Sequence, residues 1–129
     1  MLTNAGKDFI SAQVGGAGGT ATAAYIALTA NSTTPAVGDT TLTGEITTAG
    51  GGLIRALGTY AHTAGTSTYT ITKTFTVNSS DSLPVTVAKV GLLTASSSGT
   101  LVFSTLLSPT AYLSASGDTL TITQTVTLS

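Results

Sequence analysis

From Thr66 to Val77 the chain reads Thr-Ser-Thr-Tyr-Thr-Ile-Thr-Lys-Thr-Phe-Thr-Val, with threonine at every second place from Thr66 to Thr76. Period 2 is the period of an extended strand, on which successive side chains point to opposite faces. Tyr69, Ile71, Lys73, Phe75 and Val77 therefore share one face, and Thr68, Thr70, Thr72, Thr74 and Thr76 share the other. The C-terminus repeats the design: Leu120, Ile122, Val126 and Leu128 on one side, Thr119, Thr121, Thr123, Thr125 and Thr127 on the other, interrupted only by Gln124. Two such strands demand one apolar core and leave one broad hydroxyl surface.

The core has to be aliphatic. Aromatic residues make up 5% of the 129 and tryptophan is absent, so Val, Leu, Ile and Ala must fill the interior. Aromatic side chains bury the largest areas, and their scarcity predicts modest stability for an isolated subunit and help from self-association. The length fits one domain, residues 1–129, able to bury roughly two-thirds of its unfolded surface.

Charged residues are only 7% of the chain, against about 25% in soluble domains generally. The surface is thus nearly neutral. A net charge of −1 offers little resistance to association and lacks the basic footprint that grips nucleic-acid phosphates. A mean hydropathy of +0.41 with strong alternation argues for a folded chain. With no cysteine there is no disulfide framework, thiolate chemistry or zinc knuckle. The opening Met1–Asp8 lacks the basic patch and apolar run of a signal peptide, and no run of about 18 apolar residues occurs. Neither export by that route nor a membrane span is expected.

Along the chain, Asn4 is the expected cap of a short helix reaching about Val14, with Gly15-Gly16 as its stop. That helix plugs one end of the β-structure or meets a neighbouring subunit. Residues 1–19 then comprise the helix and a glycine-rich hinge. Gly15–Gly19 is not a phosphate cradle, because it follows a helix, precedes a strand and has no Lys-Ser/Thr after it. Strands are expected over Thr22–Thr29, Leu53–His62, Thr66–Val77, Val85–Thr94, Leu101–Leu107 and the C-terminal stretch. A short extended piece covers Thr40–Ile46, and a mobile stretch Ala49–Gly52. Val85–Thr94 is apolar on both faces apart from Lys89, the mark of a central strand. Gly91 suggests a bulge within it, and Pro109 a break. The predicted fold is all-β: an antiparallel β-sandwich or jelly roll with a short N-terminal helix.

Chemistry is sparse. His62 is the lone histidine, with no evident nucleophile or orienting carboxylate. Asp8, Asp39, Glu45, Asp81 and Asp118 are scattered, none in a calcium-loop pattern. Glu45 and Arg55 flank the triple glycine and are placed to pair across it. Lys73 and Lys89 interrupt apolar faces and are expected to snorkel or to guard sheet edges. No catalytic residue, cofactor or metal site is assigned, and the chain is not expected to be an enzyme.

The segments Leu2–Phe9, Tyr25–Thr29, Thr40–Ile46, Gly51–Ala56, Tyr60–Thr66 and Gly117–Leu128 together resemble small virion proteins of tailed bacteriophages, a group that includes head-decoration, minor tail and tail-fibre proteins. The resemblance spans the chain and brings no catalytic residues. It implies a virion structural protein made in the host cytoplasm. A domain this small fits a many-copy role, so the leading expectation is a capsid decoration (cement) protein on the capsid exterior. Its partners are then the major capsid protein and copies of itself, with no part for nucleic acid or membrane; the neutral surface and aromatic-poor core make a trimer the expected oligomer. A tail tube, tail-surface or tail-fibre component is the alternative. The candidate interface comprises Leu2, Lys7, Asp8, Phe9, Tyr60 and His62. Two readings from other classes are an ice-binding threonine array and a carbohydrate-binding module using Tyr25, Tyr60, Tyr69 and Tyr112.

Overall fold

The computed structural model describes residues 1–16 and 21–128. Among these, in chain order, stand α1 (Asn4–Gly15), β1 (Tyr25–Thr29), β2 (Ala56–Leu57), β3 (Thr59–His62), β4 (Thr68–Thr76), β5 (Val85–Leu93), β6 (Leu101–Leu113) and β7 (Thr119–Thr127). The strands form two antiparallel sheets, one ordered β2-β1-β5-β6 and the other β3-β4-β7. This is the expected all-β sandwich, built on four and three strands rather than the eight of a jelly roll.

The two alternating stretches are neighbours. β4 pairs with β7 in unbroken register from Thr68↔Thr127 to Thr76↔Thr119. Ile71, Phe75, Ile122 and Val126 are buried, while their threonines line the opposite face. Inside, Ile71, Phe75 and Ile122 meet Ile26, Leu28, Val87, Val90 and Leu92 of the other sheet in one largely aliphatic core.

β5 is central, with β1 and β6 on either side, and it is buried on both faces for a specific reason. Val87, Val90 and Leu92 face the core between the sheets. Leu93 joins Ala27, Leu101 and Leu42 in a second cluster. Leu42 comes from the 40–46 segment, which is a turn joined by a single bridge, Thr29↔Glu45, rather than the extended piece its threonines suggest. Lys89 is buried and sits on a central strand, so it guards no edge. Its ammonium donates to Asn31 Oδ1 (3.2 Å) and to the Thr33 carbonyl (3.0 Å) of the 31–39 loop.

Several boundaries differ from the sequence expectation. The N-cap is Thr3 rather than Asn4: its Oγ1 accepts the Gly6 N–H at 2.9 Å, and the helix ends at Gly16 in the left-handed region. The part of the expected hinge beyond Gly16, Ala17–Gly19, lies outside the described residues, as does Thr20. The first strand begins at Tyr25, not Thr22. Leu53–His62 is not one strand, because the chain leaves the first sheet after Leu57 and enters the second at Thr59. Gly58 makes that crossing, its N–H on the Ala24 carbonyl at 2.7 Å.

The Ala49–Gly52 stretch, expected to be mobile, is tied down. Asp81 Oδ2 accepts the N–H of both Gly52 and Asn78 at 2.9 Å. A Cβ on Gly52 would overlap the Thr76 carbonyl oxygen. Gly91 carries no bulge: it pairs in register with Ala27 and Ser104, and the shifts lie either side, between Val87 and Lys89 and between Leu92 and Leu93. Pro109 does not end β6, which runs on to Leu113, with residues 107–110 looping out between Leu106 and Ala111. On an edge strand the missing N–H of proline costs no ladder bond.

Candidate docking surface

The N-terminus is stitched onto β6. Leu2 bridges Phe103, Ser104 N–H donates to the Met1 carbonyl (3.0 Å), Thr3 N–H donates to the Val102 carbonyl (3.0 Å), and the terminal ammonium contacts the Ser104 carbonyl. Thr3 is wholly buried, its hydroxyl donating to the Leu101 carbonyl. Gly6 then lies so close to Val102 that a Cβ there would overlap the Val102 carbonyl. Leu2 is thus part of a sheet, not of a freely reaching arm, and the helix start is fixed against β6.

This anchoring aims the rest of α1. Phe9 and Gln13 form one wall of a cleft of about 510 Å³ whose other walls are Ala21–Ala24 and the side chains of Tyr60, Tyr69 and Ile71. Gln13 Nε2 donates to the Ala21 carbonyl at 2.7 Å, tying the helix to the segment that leads into β1. Tyr60 pairs with Ile71 across β3–β4, so it lies on the side of that sheet that faces the core. It nevertheless stays 61% exposed. Its ring centroid is 5.6 Å from that of Tyr69, tilted by 42°, within the range of favourable aromatic pairs.

The cleft is uncharged: two phenols, one amide, the Thr22 hydroxyl, and otherwise apolar walls. Burial, and then the neighbouring Tyr60, push the Tyr69 phenol above its ordinary range. Such a lining suits a protruding apolar side chain with a hydrogen-bonding group nearby.

Of the six candidate interface residues, Phe9 and Tyr60 are brought together in this cleft. His62 lies on the same strand as Tyr60, where its Nδ1 sits 2.8 Å from the Thr68 carbonyl and donates to it, within the β3–β4 hairpin. Lys7 and Asp8 are exposed on α1. Sequence reasoning missed Gln13 and Tyr69 as partners of Phe9. Gln13 already stood at helical spacing from Phe9, but its nearness to Tyr69 is a tertiary fact.

A second cleft, of about 330 Å³, brings Glu45 and Asp81 to one wall. Both carboxylates are engaged elsewhere, Glu45 by Arg55 and Asp81 by backbone N–H groups, so neither is placed as an acid or base. Among the described residues no three His, Cys, Asp or Glu side chains gather closely enough to hold a metal ion.

The other surface is the hydroxyl face. Thr68, Thr70, Thr72, Thr74 and Thr76 stand directly opposite Thr127, Thr125, Thr123, Thr121 and Thr119, and Thr59 extends the Thr72 rank onto β3. The hydroxyls of Thr74 and Thr121 are 2.9 Å apart, and Thr72 donates to Thr123 at 3.4 Å.

Comparison with known proteins yields no match: no family model, no curated protein and no solved structure is significantly similar to this chain.

Proposed function

We propose that this chain is a structural protein of a tailed-bacteriophage particle, a decoration protein that sits on the outside of the capsid and binds neighbouring major-capsid subunits. The observation that carries the reading is the uncharged cleft shared by Phe9 of α1 and Tyr60 of β3. It is set on a sandwich whose N-terminal residues are locked into a sheet. A rigid body with a neutral aromatic recess is suited to holding a protruding segment of a lattice while contributing no chemistry. The mechanism is linkage. A ligand that binds only the assembled shell stabilises it by RT ln(1 + [L]/Kd) per site, about 2.7 kcal/mol at 100 times Kd, and many equivalent sites add.

Electron microscopy of the particle tests this by location and copy number. Density on the capsid exterior between major-capsid subunits, lost when Phe9 and Tyr60 are both replaced by serine, is the expected result. Rings along the tail, or a few copies at its tip, would refute it in favour of the tail alternative.

A second reading, a surface that orders water at ice, is favoured by the matched threonine ranks. Their spacing is about 6.8 Å along the strands and about 4.8 Å across them, repeated five times without a register shift. A freezing-hysteresis assay on the purified protein decides it, and no difference between freezing and melting points removes it.

A further inference from the structure

Among the described residues, the sheet edges are guarded, except one. β2 has two residues and β3 four. The outer edge of β6 is covered at its start by Met1–Thr3 and carries the Pro109 bulge further on. β7 is nine residues long, regular, without proline or charge, and among the described residues no segment pairs with its outer side. Long, regular, uncharged edges invite strand addition, and natural proteins usually block them.

The ladder fixes which groups that edge presents. Leu128 N–H donates to the Ser67 carbonyl, and Val77 N–H donates to the Asp118 carbonyl. In an antiparallel pair such exchanges recur at every second residue, so the even-numbered residues of β7 point their N–H and C=O at β4. The odd-numbered residues, Thr119, Thr121, Thr123, Thr125 and Thr127, point theirs outward. The same five carry their side chains on the hydroxyl face.

We propose that β7 pairs antiparallel with β7 of a second copy, about a two-fold axis through Thr123, to give one continuous six-stranded sheet. Three conditions select that partner and that register. An antiparallel two-fold pairing must match outward-pointing residues with outward-pointing residues, and odd opposite odd satisfies this. With Thr123 opposite Thr123 of the second copy, all nine residues overlap, and each of the five threonines both donates and accepts a backbone bond. On the inner face Leu120 then meets Val126 of the other copy, and Ile122 meets Gln124. No charge on either strand opposes the approach, which removes the usual protection against such pairing. The result also joins the two threonine faces into one surface of twice the width. This pairing stands independently of the phage reading, and it is two-fold where the neutral surface and aromatic-poor core suggest a trimer.

The purified full chain tests it by light scattering coupled to size exclusion, from low micromolar to several hundred micromolar, together with residue-resolved amide exchange. The expected result is a dimer in which the amides of Thr121, Thr123 and Thr125 exchange at least about tenfold more slowly at high than at low concentration. The amides of Ile122 and Gln124, already bonded to β4, are slow throughout. Thr123→Lys and Thr123→Pro are expected to give folded monomers, since that N–H has no partner within one subunit. If the proline variant does not fold, the lysine variant carries the test. A monomer at every concentration, a trimer, or a dimer that persists in the lysine variant with these amides unprotected would each overturn the proposal. So would concentration-independent protection of the Thr121 and Thr123 amides in a monomer.

Discussion

Arg55 grips Glu45 at two points, Nε to Oε2 at 2.9 Å and Nη2 to Oε1 at 2.6 Å, with both side chains mostly out of solvent. The same guanidinium donates through Nη1 to the carbonyls of Ala95 (3.0 Å) and Ser98 (2.7 Å), so it clamps the β5–β6 hairpin to the 45 turn. Arg55→Ala removes the fork and leaves Glu45 unpaired, a loss of about 2–3 kcal/mol. Arg55→Lys keeps the charge but not the geometry and falls between. Urea-denaturation midpoints at neutral pH check this; a shift equivalent to less than about 0.5 kcal/mol for the alanine variant would mean that the pair acts as an ordinary surface bridge.

Gly52 and Gly65 separate two reasons for glycine. At Gly52 a Cβ collides with the Thr76 backbone, so β4 itself would have to move, and Gly52→Ala is expected to cost more than about 3 kcal/mol or to abolish soluble protein. Gly65, in the β3–β4 turn, has φ +83 and open space around it. Gly65→Ala costs only the left-handed conformation, about 1–2 kcal/mol. Thermal melts of the two variants measured side by side give the ordering.

Asp118 shapes the turn into β7 by accepting the N–H groups of Ser114 and Ala115, both at 3.0 Å. These bonds hold its carboxyl below the ordinary aspartate range. The stabilisation is complete above that range and is lost as pH falls through the lowered value, because the unfolded chain takes up its proton first. Asp118→Asn is therefore expected to flatten the decline in stability between about pH 5 and about pH 2. Denaturation midpoints across that interval, for both proteins, make the comparison; equal slopes would contradict it.

The alkaline side belongs to Tyr69. Its phenol is pushed up by burial and then by Tyr60, so as pH rises past the ordinary phenol range the unfolded chain ionises first and stability falls until the raised value is reached. Tyr69→Phe removes that contribution and loses less stability on alkaline titration. Tyr60→Phe removes the smaller cause and shifts Tyr69 back towards its ordinary range. Tyrosinate absorbance during titration reads the second effect directly.

Alternation alone determined the strands β4 and β7, their buried residues and their hydroxyl faces, because a period of 2 with one apolar side has a single solution in water. The central place of β5 was legible for a related reason: a strand apolar on both faces must be covered on both. The covers were not legible. That Leu42 and the 31–39 loop seal the outer face, and that Lys89 finds its acceptors on Asn31 and Thr33, depends on contacts between distant segments. Local composition misled at Ala49–Gly52 and at Pro109 for the same reason. Glycine was required there by close approach to Thr76 rather than by mobility, and proline was tolerated because β6 lies at an edge. The candidate surface divides the same way. Phe9 and Tyr60 could be singled out as residues, but only the packing of α1 on β6 through Gly6 brought them to one cleft with Gln13 and Tyr69. The sequence could show that β7 was a strand; its lying at an edge, with five threonine backbones turned outward, followed from the order of the sheet.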